Sequence, residues 1–129
     1  MVAEPVESVR RAAADLVAAG ATLVAGHSAH VFHGVAPRVL FDLGDFLDDY
    51  AVDRELRNDL GLLWLVELER DGPRGVRVLP LALDYCFTRQ ASPVEAEWIV
   101  RRLRELCAPF GTEVDASDGL VELRPPPAG

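Results

Sequence analysis

Apolar and polar positions recur in two rhythms along the chain, and the places where the rhythm changes mark its elements. Residues 5 to 20 follow a helical rhythm, with Val9, Ala12, Ala13, Leu16 and Val17 on one stripe, Pro5 in the first turn and Gly20 at the stop. The apolar run ATLVAG (21–26) then reads as a strand buried on both faces. RVLFDLG (38–44) reads as a second strand leading into the acidic stretch DFLDDYAVDRELRND (45–59). GLLWLVELER (61–70) and GVRVLPLALDY (75–85) are strand-like runs joined across DGPRG, whose Asp-Gly, Pro and Gly are hairpin residues. Val66, Leu68, Val76 and Val78 are expected to line that hairpin, with Glu67, Glu69 and Arg77 on its wet face.

SPVE (92–95) has the form of a capping box with proline at the first helical position. The helix it opens carries Ala96, Ile99, Val100, Leu103, Leu106 and Cys107 on one stripe, and its Glu97, Arg101, Arg102, Arg104 and Glu105 fall largely on a solvated face. GTEV (111–114) and GLVELR (119–124) suggest a closing pair of short strands, and residues 125–129 a frayed tail. No internal repeat or second domain is visible, so residues 1–129 read as one domain of α/β class.

Composition narrows the partners. The formal charge is −8, and all thirteen basic residues are arginine. That balance argues against a nucleic-acid backbone as partner and suits a protein that holds divalent cations. No apolar run reaches the roughly 18 to 20 residues that span a bilayer. The first twenty residues lack the layout of a signal peptide, so a cytoplasmic location is expected. Cys86 and Cys107 form no C-x-x-C pair and are expected to be buried thiols.

The candidate chemistry is concentrated in GHSAHVFHGV (26–35), which holds all three histidines, His27, His30 and His33. It follows the first predicted strand directly, where α/β proteins commonly build their sites. Residues three apart on a strand point to opposite faces, so His27 and His30 converge only if Gly26 ends the strand. Neutral imidazole is a common ligand for Zn, Mn and Fe ions, but such a centre takes at least three protein ligands. A polar loop with three unrelated histidines is the alternative. The acidic stretch lacks the EF-hand pattern. GHSAH lacks the last glycine of G-x-S-x-G, so Ser28 is not expected to be an esterase nucleophile. Phosphate-cradling P-loop and dinucleotide fingerprints are absent from the sequence.

GATLVAGHSAHVFHGV (20–35) resembles the G-A-D-L-V-x-G-H-x-P-H-V-x-Q-G segment of the CapA proteins, which serve capsule and poly-gamma-glutamate synthesis within the calcineurin-like metallophosphatase superfamily. VLFDLGDFLDDY (39–50) is similar to that family's I-x-Y-S-L-G-N-F-x-x-D segment, GLLWLVELERDGPRGVRVLPLALD (61–84) to its next hairpin, and RRLRELCAPFGTEV (101–114) to its closing helix and strand. The likeness runs from about residue 7 to residue 124. It implies the C-terminal half of a four-layer α/β/β/α sandwich, with the superfamily's earlier ligand motifs lying ahead of residue 1. It also implies metal-dependent phosphoester hydrolysis, or a related step in capsule polymer production, once that N-terminal half completes the site.

Of a two-metal centre holding Mn, Fe or Zn, the resemblance assigns His27 and His30 as ligands here. His33 and Asp45 are then substrate-side groups or partners of the ligands, acting toward a phosphate-like oxyanion. His33 stands where the family has Gln and Ala29 where it has Pro, while Asp42 and Asp45 replace Ser and Asn. His33 is expected to lean to the rim. The expected partners are a separate N-terminal half or a second copy of the chain. Leu23, Leu40 and Leu63 are expected to lie partly uncovered where such a partner packs. A non-catalytic binding or assembly module, or an inactive truncated fragment, are the other classes the sequence allows.

Overall fold

A computed structural model describes residues 1–117 and 119–128. The chain is mixed α/β, with two α-helices and two sheets among the described residues. Its elements run α1 (Glu7–Ala18), β1 (Val24–Ala25), β2 (Val35–Ala36), β3 (Val39–Leu40), β4 (Leu60–Glu69), β5 (Gly72–Asp84), β6 (Phe87–Gln90), α2 (Pro93–Cys107), a short 3₁₀ turn (Ala108–Phe110), β7 (Glu113–Ser117) and β8 (Leu120–Arg124).

The larger sheet has the order β4-β5-β8-β7 and is antiparallel throughout. β6 shares with β8 the edge of β5 opposite β4, pairing at Leu81–Asp84 while β8 pairs at Val76–Val78. Pro80 lies between those two stretches, and its carbonyl accepts from the Ala91 N–H. In an antiparallel strand one residue's N–H and C=O point to the same edge. The N–H that Pro80 lacks therefore falls where the ladder changes partner, the position a strand proline tolerates.

α2 begins as its sequence predicts. The Ser92 hydroxyl accepts from the Glu95 N–H, and a Glu95 carboxylate oxygen accepts from the Ser92 N–H. Ile99, Leu103, Leu106 and Cys107 are buried against Leu62, Val76, Val78, Val121 and Leu123 on the inner face of the sheet. Side chains alternate across a strand, so Leu63 and Leu65 sit on the opposite face, where both remain partly exposed.

The second sheet is small. Its order is β1-β3-β2, with β1 parallel and β2 antiparallel to β3, each strand two residues long. α1 covers it chiefly through Ala13, which packs with Val39 and Phe41.

Several expectations need correction. The ATLVAG run is not buried on both faces: β1 is an edge strand, Val24 is half-buried and Ala25 exposed. The long hairpin turns at Arg70–Asp71, and β5 absorbs the Gly-Pro-Arg-Gly stretch through a β-bulge opposite Glu67 and Leu68. Leu68 is exposed because it lies beyond that bulge, at the far end of the hairpin. Leu40, expected to be partly uncovered, is buried in the main core; Leu23 is half-buried and Leu63 partly exposed.

Cys107 is buried, and burial pushes its thiol pKa up. Cys86 is exposed because it occupies the tight turn between β5 and β6. Residues 125–128 carry no regular secondary structure, and Gly129, the end of the expected frayed tail, lies outside the described residues. Among the described residues no helix is long and apolar enough to cross a membrane.

Candidate functional site

The histidine loop spans residues 26–34, between β1 and β2, and the glycines at its two ends make its path possible. A Cβ on Gly26 would stand 2.1 Å from the Phe41 carbonyl oxygen, and one on Gly34 would stand 2.3 Å from that of Leu106. No side chain fits at either distance, so only glycine brings the backbone this close. Gly26 donates to the Leu40 carbonyl and accepts from the Leu43 N–H, which fastens the loop to β3 and its continuation.

Asp42 adds a second fastening. It is buried, and its two oxygens accept from the backbone N–H groups of Ala29 and Gly44, both at 2.9 Å. One carboxylate thus ties the histidine loop to the start of the acidic loop. Within the histidine loop, Ser28 and His30 both have positive φ, 91° and 64°. A backbone strained at two positions so close together persists only where the surroundings hold it, and such strain concentrates at functional sites.

The three histidines have different surroundings. His33 is 3 % exposed, and its Nε2 lies 2.9 Å from the Val2 carbonyl oxygen. It therefore points into the fold and not to the rim. With Arg102, whose guanidinium donates to the Ala3 carbonyl, it holds the N-terminal segment in place. Neither contact belongs to the loop surface that carries His27 and His30.

His27 is exposed and pairs its Nδ1 with the Ser28 hydroxyl at 2.7 Å. A hydroxyl both donates and accepts, so this contact leaves the ring tautomer open. His30 is half-buried, with Nδ1 at 3.0 and 3.2 Å from the two oxygens of Asp45. An ionised carboxylate only accepts, so Asp45 places the ring proton on Nδ1 and leaves the Nε2 lone pair free. Among the described residues neither Nε2 has a hydrogen-bond partner. The Tyr50 ring packs edge-on against His30 at 5.2 Å between centroids.

The acidic loop 45–59 is knitted by Asp48 and Asp53 of its aspartate run together with Asn58 and Arg57, which sequence reasoning did not single out. Asp48 is buried and accepts from the Tyr50 N–H at 2.6 Å and from the Asn58 side-chain amide at 3.3 Å. Asn58 is 1 % exposed, accepts from the Asp53 N–H and donates also to the Ala51 carbonyl. The loop closes on Arg57, whose guanidinium grips Asp59 and lies over the Trp98 ring.

The carboxyl groups of Asp45 and Asp48 are driven apart in acidity. Burial, followed by the Asp48 contact, raises the Asp45 pKa against the opposing effect of His30. Burial works to raise Asp48 as well. The Tyr50 N–H, Asp45 and Asn58 outweigh it and hold Asp48 below the ordinary value.

As a metal-binding set these groups are partial. His27 and His30 present free Nε2 atoms, and His30 has the carboxylate behind it that metal-bound histidines usually have. Among the described residues, no three His, Cys, Asp or Glu side chains converge closely enough to hold an ion. The donor chemistry suits a divalent metal, and the number of donors falls short of one. No protein-family model and no curated protein matches the chain.

Proposed function

We propose that the chain contributes a histidine pair to the divalent-metal centre of a CapA-like phosphoester hydrolase of the calcineurin-like metallophosphatase superfamily. The observation that carries this reading is the Asp45–His30 pair, a carboxylate on Nδ1 with Nε2 free, in a loop whose backbone is strained beside His27. The metal, when bound, supplies activation of a water and a clamp on a phosphate oxygen. His27 and His30 bind through Nε2, and Asp45 orients His30 and strengthens it as a donor. His33 takes no part, being occupied with the N-terminal segment.

The remaining ligands come from a second polypeptide half, joined in cis or supplied in trans by a separate chain or a second copy. The uncovered sheet face bearing Leu63 and Leu65 favours a further layer there, as in a four-layer α/β/β/α sandwich. The substrate is a phosphoester or similar oxyanion in capsule or poly-gamma-glutamate production, a clause that rests on the resemblance of the sequence segments. The same open face favours a second reading, a non-catalytic assembly module.

Zinc titration of the isolated chain, followed by calorimetry, tests the ligand assignment. Asp45→Ala should weaken binding by about 10- to 100-fold, the usual effect of removing the group behind a metal-bound histidine. Unchanged affinity would remove Asp45 from the site. The chain alone should hydrolyse an aryl phosphate poorly with added Mn or Zn. Metal-dependent turnover at about one per second, an ordinary enzyme rate, lost in His27→Ala, would show that no second half is needed.

A further inference from the structure

We propose that Asp48, anchored by Asn58, is the positioning residue of the His30 site. The Asp45 carboxylate on Nδ1 and the Tyr50 ring, in a T-shaped arrangement, both touch the His30 ring. Asp48 holds the second of these. Its Oδ1 accepts from the Tyr50 N–H at 2.6 Å, which fixes the residue whose ring packs on His30. Its other oxygen accepts from the Asn58 amide at 3.3 Å.

Asn58 is suited to that anchoring because its own hydrogen bonds are all internal. Its side chain binds Asp53, Asp48 and Ala51 within one loop and is almost wholly shielded from water. The loop has no helix or strand between Leu40 and Leu60 to hold it. These side-chain bonds therefore stand in for the ladder that a regular element would provide. Removing a buried partner leaves the others unsatisfied, which loosens the whole chain of contacts.

The inference rests on His30 being the working residue, but its test needs no metal. The measurement is made at pH 8. In the full chain, nuclear magnetic resonance should then show a protected His30 Nδ1–H signal, with the ring protons shifted by Tyr50. Asn58→Asp sets a carboxylate against Asp48 in place of the amide donor. It should speed exchange of that proton at least tenfold and abolish the Tyr50-induced shift, while the His27 and His33 signals stay as they are.

Thr112→Val is the control. It deletes another buried side-chain bond, from the Thr112 hydroxyl to the Val35 carbonyl, outside the acidic loop and just past the end of the histidine loop away from His30. It should lower stability and leave the His30 signals intact. If Asn58→Asp does not fold, Asp48→Ala reads the same contacts and should give the same loss. An unchanged His30 signal in either folded variant, or an equal loss in Thr112→Val, would overturn the proposal. A wild-type protein with the expected His30 signals but no response to added zinc would instead count against the metal reading alone.

Discussion

α1 and α2 carry apolar stripes that look alike in sequence, yet α2 buries Ile99, Leu103, Leu106 and Cys107 while α1 buries Ala13 alone. Leu16, on the α1 stripe, is 53 % exposed, and an apolar cleft of about 170 Å³ lies between α1 and the small sheet. The difference lies in what each helix meets. α2 rests on the long strands of the five-stranded sheet, whereas β1, β2 and β3 offer α1 two residues apiece. Periodicity says which side of a helix turns inward; the partner's area says how far it goes in. The histidine loop springs from the thin half, and its shape depends on Gly26, Gly34 and the Asp42 hydrogen bonds as well as on the burial of Val31 and Phe32.

If that contrast is right, Leu103→Ala should produce the largest loss of stability. Its side chain is fully buried, and truncation should cost about 2 to 5 kcal/mol in denaturant unfolding. A loss under about 1 kcal/mol would mean that α2 is no better seated than α1. Asp42→Ala comes next. It leaves the Ala29 and Gly44 N–H groups without their carboxylate and should cost about 1 to 3 kcal/mol. Because those donors flank the site, amide exchange should quicken at residues 26–34 before the α2 core responds.

A third effect is confined to the start of α2. Its capping glutamate, Glu95, is held by Arg89, which lowers the carboxyl pKa from 4.5 to about 2. A depressed carboxyl contributes stability above its unfolded pKa and loses it as pH falls toward the folded one. Stability should therefore decline between pH 4.5 and about 2, and Glu95→Gln should flatten that decline. α1 has no capping side chain at Val6 and should show no such dependence. The smallest effect is Leu16→Ala, expected within about 0.5 kcal/mol of wild type, as for most exposed positions.

How much the sequence revealed follows the same divide. The capping box, the α2 stripe and the closing β7–β8 pair are local patterns that appear where their residues predicted them, and the long hairpin forms with its turn moved to Arg70–Asp71. β6 escaped notice because FTRQ carries no strong alternation and exists by pairing with the end of β5. β1 was misjudged on burial because an apolar run does not reveal whether its strand will lie at an edge.

At the site, the sequence drew attention to the histidines and Asp45, whose contact with His30 spans fifteen positions. It set His33 apart from the other two but at the rim, because its burial depends on the Val2 carbonyl of the N-terminal segment reaching it. Asn58 had no local signal at all. One asparagine among seven acidic residues in the stretch 42–59 looks like solvated surface until the loop closes around it.

The most direct measurement is a nitrogen-edited magnetic resonance titration of the three imidazoles at pH 8, with and without Zn. With ligation through Nε2, the His27 and His30 resonances shift on metal addition, His30 keeps its Nδ1–H, and His33 stays unchanged on its carbonyl. The shifts should vanish in acid, because protons then compete for the same lone pairs. Three resonances that ignore the metal, or a His33 that moves as far as the other two, would contradict the assignment of His27 and His30 as the metal-binding pair.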